Sequence, residues 1–405
     1  MSDRAKDILA SLSRSDATRR RAMLRDLDDM TRREFLRRGG RTTAVAGAAA
    51  ALFAAGIPLR GAAQETPPAV SLPEMTSIPD SLKGSGEVVV CSFGGALQAA
   101  QREAYFKPFE QLSGIKVIEA EGPDPAKVKA MVDTGNVEWD VAEWDRSTVM
   151  QLETEGDYWE EIDYSLFDTA NIDEARRYKF SVDMLPYATV IGYRTDAFSE
   201  APQSQADFYD LETFPGPRST EAGTGGLVPF LEGATIAAGV APAEVYPIDI
   251  EAAFEKLSEI RDEVVKFWET GAQPAQLLTD NEVVMAHAWN GRLYDIQQAG
   301  APVDIQWNQG MLATDVWAIT KGAPNVENAQ KFSAFITLPE PQARLTLLIP
   351  YGFVNNKAAE LIPAERLTSI PTAPDIVSML FERNTEWWVE NREAVLERWN
   401  EWILE

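Results

Sequence analysis

Residues suited to nucleophilic and metal chemistry are scarce in this chain. Histidine occurs only as His287 and cysteine only as Cys91. A Ser-His-Asp site would have to use His287, which lies in an apolar run (residues 285–288) where a packed, hydrogen-bonded histidine is the commoner role. Zinc takes three or four such ligands, and a disulfide needs two cysteines. We therefore expect no catalytic residue, metal site or cofactor, and an exported hydrolase is the weaker alternative.

Carboxylates beside aromatic side chains offer a different chemistry, the binding of a cationic amine. Such a ligand needs carboxylates in place of water around its ammonium group and aromatic faces for its methylenes. Trp144 and Asp145 follow a predicted strand, 139–142, at the edge where open α/β sheets bind ligands. Asp315 opens an apolar strand, where a carboxylate needs a partner. The residues alone leave two alternatives open, a tryptophan packed in the core and an aspartate that caps a helix.

The elements that would position these residues begin after residue 86. Short β-rich runs alternate there with helical stretches, a pattern that predicts βαβ units and a mainly parallel sheet. The predicted strands are 87–91, 115–118, 139–142, 189–194, 283–288, 303–307 and 316–320. The predicted helices are 96–111, 125–132, a helix from 147 to before 156, 228–239, 249–269, 291–299 and 325–337.

Charge is distributed unevenly along the chain, whose formal net charge is −26. Residues 1–63 carry 13 Lys/Arg and 7 Asp/Glu, whereas the rest carries 24 and 56. The acidic remainder repels phosphate backbones, so we expect no nucleic-acid partner. It also raises the local concentration of small cations, although solubility alone is an equally good explanation.

The basic N-terminal region has the parts of an export signal in order. Residues 31–36 (TRREFL) resemble the twin-arginine motif, an alanine-rich apolar stretch follows at 44–57, and small residues stand at 61–63. The apolar stretch is too short to span a bilayer. These features predict a twin-arginine signal peptide at 1–63, a periplasmic protein and, from the prolines of 64–85, a flexible leader. Retention as a membrane anchor is the alternative.

Seven segments between residues 86 and 360 occur in a characteristic order. They are CSFGG (91–95), FKPFE (106–110), GIKV (114–117), WDVAEWD (139–145), AWNGR (288–292), GMLATDVWAI (310–319) and IPYG (349–352). Together they resemble the spermidine/putrescine-binding group of periplasmic solute receptors, which are extracellular solute-binding proteins of ABC transporters. The resemblance implies an α/β protein with the two-lobed, type II periplasmic-binding-protein fold, in which hinged lobes with mixed sheets enclose a cleft. Lobe one would comprise 86–190 plus 314–360, and lobe two 191–313 plus 361–405.

The same resemblance implies where the substrate binds. Trp289 and Asp315 match the family's ligand-contacting tryptophan and aspartate. The substrate-binding residues that we expect are Trp289, Asp315, Tyr351, Phe93, Trp144, Asp145 and Trp307. Two positions depart from the pattern: Ala313 replaces a second tryptophan, and 227–230 holds no carboxylate where the family has a second acidic cluster. The acids that would compensate are Glu143, Asp145 and Glu232.

We therefore predict the substrate-binding subunit of an ABC importer. It would capture a polyamine of the putrescine/spermidine kind, or a related cationic amine, in the periplasm and deliver it to permease subunits in the inner membrane. A receptor for an opine, an amino-acid-like amine or a quaternary amine is the alternative. We expect a monomer.

Overall fold

The computed structural model describes residues 71–224 and 227–405. The predicted signal peptide, 1–63, and the first part of the predicted leader lie outside the described residues. No helix within the described ranges combines the length and the hydropathy needed to cross a bilayer.

The described residues contain nine strands in one hydrogen-bonded sheet. They are β1 (Glu87–Ser92), β2 (Lys116–Glu121), β3 (Val141–Asp145), β4 (Val182–Arg194), β5 (Arg218–Glu221), β6 (Val264–Trp268), β7 (Met285–Trp289), β8 (Val303–Ile319) and β9 (Phe381–Glu382). Their order is β2-β1-β3-β8-β4-β7-β5-β6, with β9 beside β8. Two parallel groups, β2-β1-β3 and β7-β5-β6, are joined through the antiparallel strands β8 and β4. The sheet is therefore mixed, as the family resemblance implies, with five parallel and three antiparallel strand pairings among the described residues.

Fourteen α-helices accompany these strands in the described ranges. They are α1 (Gly95–Gln101), α2 (Lys107–Ser113), α3 (Pro125–Thr134), α4 (Arg146–Glu155), α5 (Gln205–Tyr209), α6 (Leu231–Ala237), α7 (Ile250–Ser258), α8 (Gln273–Thr279), α9 (Asn290–Gln298), α10 (Val326–Ile336), α11 (Pro339–Leu348), α12 (Ala364–Leu367), α13 (Pro374–Val377) and α14 (Thr385–Trp402). Local sequence sets several helix starts. Asp124 accepts a hydrogen bond from the Ala126 amide (2.8 Å) at the start of α3, and Asn384 accepts one from the Trp387 amide (2.9 Å) at the start of α14.

The buried apolar side chains of the described residues form six clusters, and the two largest groups are the first and second cores. One group includes Phe109 and Phe332, whose ring centres lie 5.4 Å apart. The other includes Phe254 and Trp402, with ring centres 5.7 Å apart. Strand β4 supplies buried residues to both groups, whereas β8 supplies Trp317 and Ile319 to the first and Val303 to a smaller cluster that also contains Val190 of β4.

Three segments differ from the sequence-based expectation. The helix predicted at 249–269 ends at Ser258, and strand β6, rich in β-branched and aromatic residues, follows. The strands predicted at 303–307 and 316–320 are parts of the single strand β8. Within the predicted flexible leader, Ile78 and Leu82 are buried in the first core, because this segment covers apolar surface that β1 and α10 leave open.

Helix α14 packs against the second core, and the contribution of this packing to the free energy of unfolding can be tested. Trp399 is 2% exposed, and its ring packs against Gly223, where an added Cβ would lie 2.4 Å away. Replacing Trp399 by Ala leaves a large cavity, so we expect the free energy of unfolding to fall by about 3–5 kcal/mol. The exposed Glu397 on the same helix provides the control: Glu397→Ala should change it by less than about 0.5 kcal/mol in the same denaturant titration. If Trp399→Ala and Glu397→Ala lowered the free energy of unfolding equally, the result would contradict the packing of Trp399.

Candidate functional site

The described residues enclose a cavity of about 1340 Å3 where both cores meet the sheet. Four strands from the two parallel groups end at this cavity. Phe93 follows β1, and Asp145, Glu221 and Trp289 are the last residues of β3, β5 and β7. Parallel strands place their carboxyl ends at one edge of a sheet, which is where open α/β sheets bind ligands.

Five of the seven expected substrate-binding residues line this cavity. They are Phe93, Asp145, Trp289, Asp315 and Tyr351. The structure places Trp144 elsewhere: it is 2% exposed and packs on Trp159, with ring centres 5.7 Å apart. Its side chain points to the opposite face from Asp145, because successive residues of a strand alternate between faces.

Trp307 is also absent from the residues that line the cavity. It packs against the core that contains Ala188 and Val190. Around it, the pairing of β4 with β8 shifts register: Thr189 is opposite Met311, whereas Ile191 is opposite Gln306. The extra residues of β8 form an irregular segment, and a bulge of this kind redirects side chains.

Asp315 is the acid at the centre of the cavity wall. It is the register partner of Asp145 across β8 and β3, so their Cβ atoms are about 5 Å apart. No donor in residues 71–224 or 227–405 hydrogen-bonds to the Asp315 carboxyl group. Burial raises its pKa well above the usual value, and the charges of Glu143, Asp145 and Asp183 raise it further. A carboxyl group in this environment gains strongly from a bound cation.

The acids around Asp315 already have partners. Asp145 accepts a hydrogen bond from the Ser147 amide (2.8 Å) as the N-cap of α4. Glu143 is fully buried and accepts hydrogen bonds from the Ser92 hydroxyl (2.6 Å) and the Gln101 side chain (2.9 Å). Burial raises the pKa of Glu143 to about 7.

Aromatic rings form the walls beside Asp315. The ring centres of Tyr187 and Trp289 lie 5.9 Å apart in an edge-to-face arrangement. A Cβ atom at position 291 would lie 2.8 Å from the ring of Tyr351, so glycine there allows α9 to approach that ring. Asn290 holds this junction: its side chain accepts a hydrogen bond from the Ala188 amide (2.9 Å) and donates one to the carbonyl of Pro350 (2.7 Å).

Sequence reasoning missed the arginines of the cavity, Arg292, Arg383 and Arg392. Arg292 lies in the first turn of α9, directly after the Trp289-Asn290-Gly291 segment that was singled out for its tryptophan. Its charge and that of Asp315 both act on Tyr351, whose pKa burial raises to about 12. A cation and an anion thus stand near the same tyrosine, an arrangement that suits a ligand with two opposite charges.

Two acids, Glu221 and Glu232, mark the other side of the cavity. Glu232 is 1% exposed and accepts hydrogen bonds from the indole N–H of Trp388 (2.6 Å) and from the hydroxyl of Tyr246. Burial, together with the charge of Glu232, raises the pKa of Glu221 to about 8, while a hydrogen bond from Trp289 lowers it in part.

His287 and Cys91 are core residues. The His287 ring nitrogens contact Thr220 Oγ1 (2.9 Å) and Gln205 Oε1 (3.0 Å), and burial lowers its pKa to about 3. Burial raises the pKa of Cys91 to about 12. Within the described ranges, no three His, Cys, Asp or Glu side chains are grouped to hold a metal ion.

A two-lobed α/β fold with a charged, aromatic-walled cleft is characteristic of periplasmic solute receptors, and the comparisons agree. Residues 104–373 match the bacterial extracellular solute-binding protein family, and the chain belongs to this family. It is 36% identical over 325 residues to the gamma-aminobutyric acid-binding protein of Pseudomonas aeruginosa, covering 78% of this chain and 91% of that protein. It is 30% identical over 143 residues to the spermidine/putrescine-binding periplasmic protein of Escherichia coli, covering 35% and 40%.

Solved structures show the same relationship. An ABC transporter substrate-binding protein from Bradyrhizobium japonicum has a TM-score of 0.72 and 36% identity, and the match covers 78% of this chain and 99% of that one. The predicted family and the two-lobed fold are therefore confirmed. The protein is the substrate-binding component of an ABC transporter, not an enzyme, and the family implies a periplasmic location.

The raised pKa of Glu221 predicts how stability depends on pH. The carboxyl group of Glu221 binds its proton more tightly in the folded state than in the unfolded chain. The free energy of unfolding therefore falls as pH rises from about 4.5 to about 8. Glu221→Gln, which resembles the protonated form, should remove part of that fall, on the order of 1 kcal/mol per pH unit. Denaturant unfolding between pH 5 and 8 measures the slope. Glu397→Gln, on an exposed helix face, should leave the slope unchanged. If Glu221→Gln had the same slope as the unsubstituted protein, burial of Glu221 would not be the source of the pH dependence.

Proposed function

We propose that this receptor binds a small amino acid whose ammonium and carboxylate groups are separated by a short methylene chain, such as gamma-aminobutyric acid (GABA). The observation that carries the proposal is the placement of Asp315 and Arg292 around Tyr351 in one cavity. Asp315 would bind the ammonium group and Arg292 the carboxylate, because charge-assisted hydrogen bonds are the strong ones. Trp289 and Tyr187 would cover the methylenes. The similarity to a GABA-binding protein supports the same ligand class.

The same geometry argues against a diamine, and so against the polyamine prediction. A diamine needs a second acid, and Glu143, Asp145 and Glu232 were the candidates. Each accepts hydrogen bonds from the protein, with Glu143 Oε1 and Glu232 Oε2 left without a partner among the described residues. The amino-acid-like ligand, an alternative in the sequence analysis, therefore fits the cavity better than putrescine or spermidine.

The remaining roles follow from this class of receptor. Solute-binding proteins of ABC transporters work with membrane permeases, and we propose that this one delivers its ligand as a monomer to permease subunits in the inner membrane. We also propose export by the twin-arginine route, on the strength of Arg32 and Arg33 in their sequence context.

Isothermal titration calorimetry tests the ligand and the role of Asp315 together. The unsubstituted protein should bind GABA and not putrescine. Asp315→Asn should weaken GABA binding about tenfold to hundredfold, since hydrogen bonds to charged groups contribute about 1.5–3 kcal/mol. The melting temperature without ligand should not fall, because the substitution removes a buried acid. Asp304→Asn, on the same strand but outside the cavity, should bind GABA normally. Tight binding of putrescine by the unsubstituted protein would refute the proposal.

A second pair of ligands isolates the carboxylate contact. Arg292→Gln should weaken the binding of GABA about tenfold or more, because the carboxylate loses its charged donor. n-Butylamine, which has the same chain and ammonium group but no carboxylate, should bind the variant and the unsubstituted protein equally. Calorimetry with both ligands makes the comparison, and an equal loss for the two would remove Arg292 from carboxylate recognition.

A further inference from the structure

The structure assigns to Arg383 the exclusion of diamines: its guanidinium group stands beside the acids that a second ammonium group would otherwise bind. This inference rests on the proposed function and names the residue that sets its selectivity.

The backbone fixes Arg383 at the cavity. It directly follows the short strand β9, and its amide donates a hydrogen bond to the carbonyl of Leu312 on β8 (2.9 Å). Its side chain is 11% exposed, and the guanidinium carbon lies 5.4 Å from the centre of the Trp388 ring. The Arg383 side chain is therefore largely buried in the cavity wall.

The guanidinium group neutralises acids on both sides of the cavity. Its Nη1 atom lies 3.7 Å from Asp145 Oδ2, and the charges of Asp145 and Glu232 both act on it. Glu232 keeps one carboxylate oxygen, Oε2, buried and without a hydrogen-bond partner among the described residues. Arginine stays protonated at every physiological pH, so this positive charge is permanent.

Selectivity against a second ammonium group follows from these positions. Asp145 is the register partner of Asp315, so a four-carbon diamine held by Asp315 has its other end within reach of Asp145. The second ammonium group would then lie beside the Arg383 guanidinium group. Two like charges in a partly desolvated site repel each other and reduce the binding free energy. The carboxylate end of an amino acid meets no such penalty. Without the Arg383 guanidinium group, Asp145 and Glu232 lose a positive charge that acts on both, and Arg392 is the cation that remains near Asp145.

The test measures the affinities of putrescine and GABA for Arg383→Gln by calorimetry. We expect putrescine affinity to increase at least about tenfold, since like-charge contacts cost several kcal/mol, and GABA affinity to change less than about threefold. Arg383→Lys keeps the charge and should still reject putrescine. Arg398→Gln controls for net charge: it removes one positive charge from an outer helix face, where Arg398 pairs with Glu251, and should bind as the unsubstituted protein does.

The outcomes separate this inference from the proposed function. If the unsubstituted protein binds GABA but Arg383→Gln still rejects putrescine, the inference is wrong and the proposed function stands. A GABA loss above tenfold without any gain for putrescine would make Arg383 a carboxylate ligand and would overturn the inference as well. If the unsubstituted protein binds putrescine, both are wrong. Should circular dichroism show Arg383→Gln unfolded, the charge-balanced Arg383→Gln/Glu232→Gln variant replaces it, and putrescine should then bind through Asp145.

Discussion

The antiparallel pairing of β4 with β8 is the constraint on which the rest of the site depends. Strand β4 connects the cores, and β8 pairs with both β4 and β3, so the register of one strand fixes the positions of the others. It sets Asp315 opposite Asp145. Because side chains alternate along a strand, the same register turns Trp144 into the core while Asp145 faces the cavity. A slip of one residue would reverse these positions and remove the charge from the cleft.

Burial of charge is the second constraint on the cleft of this very acidic protein. Each buried carboxylate near the cavity needs donors, since an unpaired one costs several kcal/mol. Glu143 accepts hydrogen bonds from Ser92 and Gln101. Asp183 accepts one from Arg176, and Glu232 accepts one from Trp388. Asp315 has no such donor in the described residues. Under the proposed function, this unfavourable state is relieved when the ammonium group binds.

Prediction from sequence succeeded where local pattern or family resemblance carried the information. β-Rich runs located β1, and the ordered motifs placed Trp289 and Asp315 in one cleft. It failed where tertiary contacts decide. Nothing local shows that Arg383, far along the chain in a short irregular segment, is held against β8 beside Asp145. Nor does a Trp-Asp dipeptide reveal which residue faces the core until the start of its strand is known to within one residue.

Asn290 connects the element that carries Trp289 to β4 and to the loop that carries Tyr351. This residue follows the cavity tryptophan, and its side chain makes the hydrogen bonds to both. One amide thus fixes the distance between two aromatic walls that belong to different elements. The β4 and β8 strands beside it contain register shifts near Thr189 and Gln306, and bulged strands bend more readily than regular ones. Under the proposed function, closure around a ligand is expected to bend these strands while Asn290 keeps the two aromatic walls together.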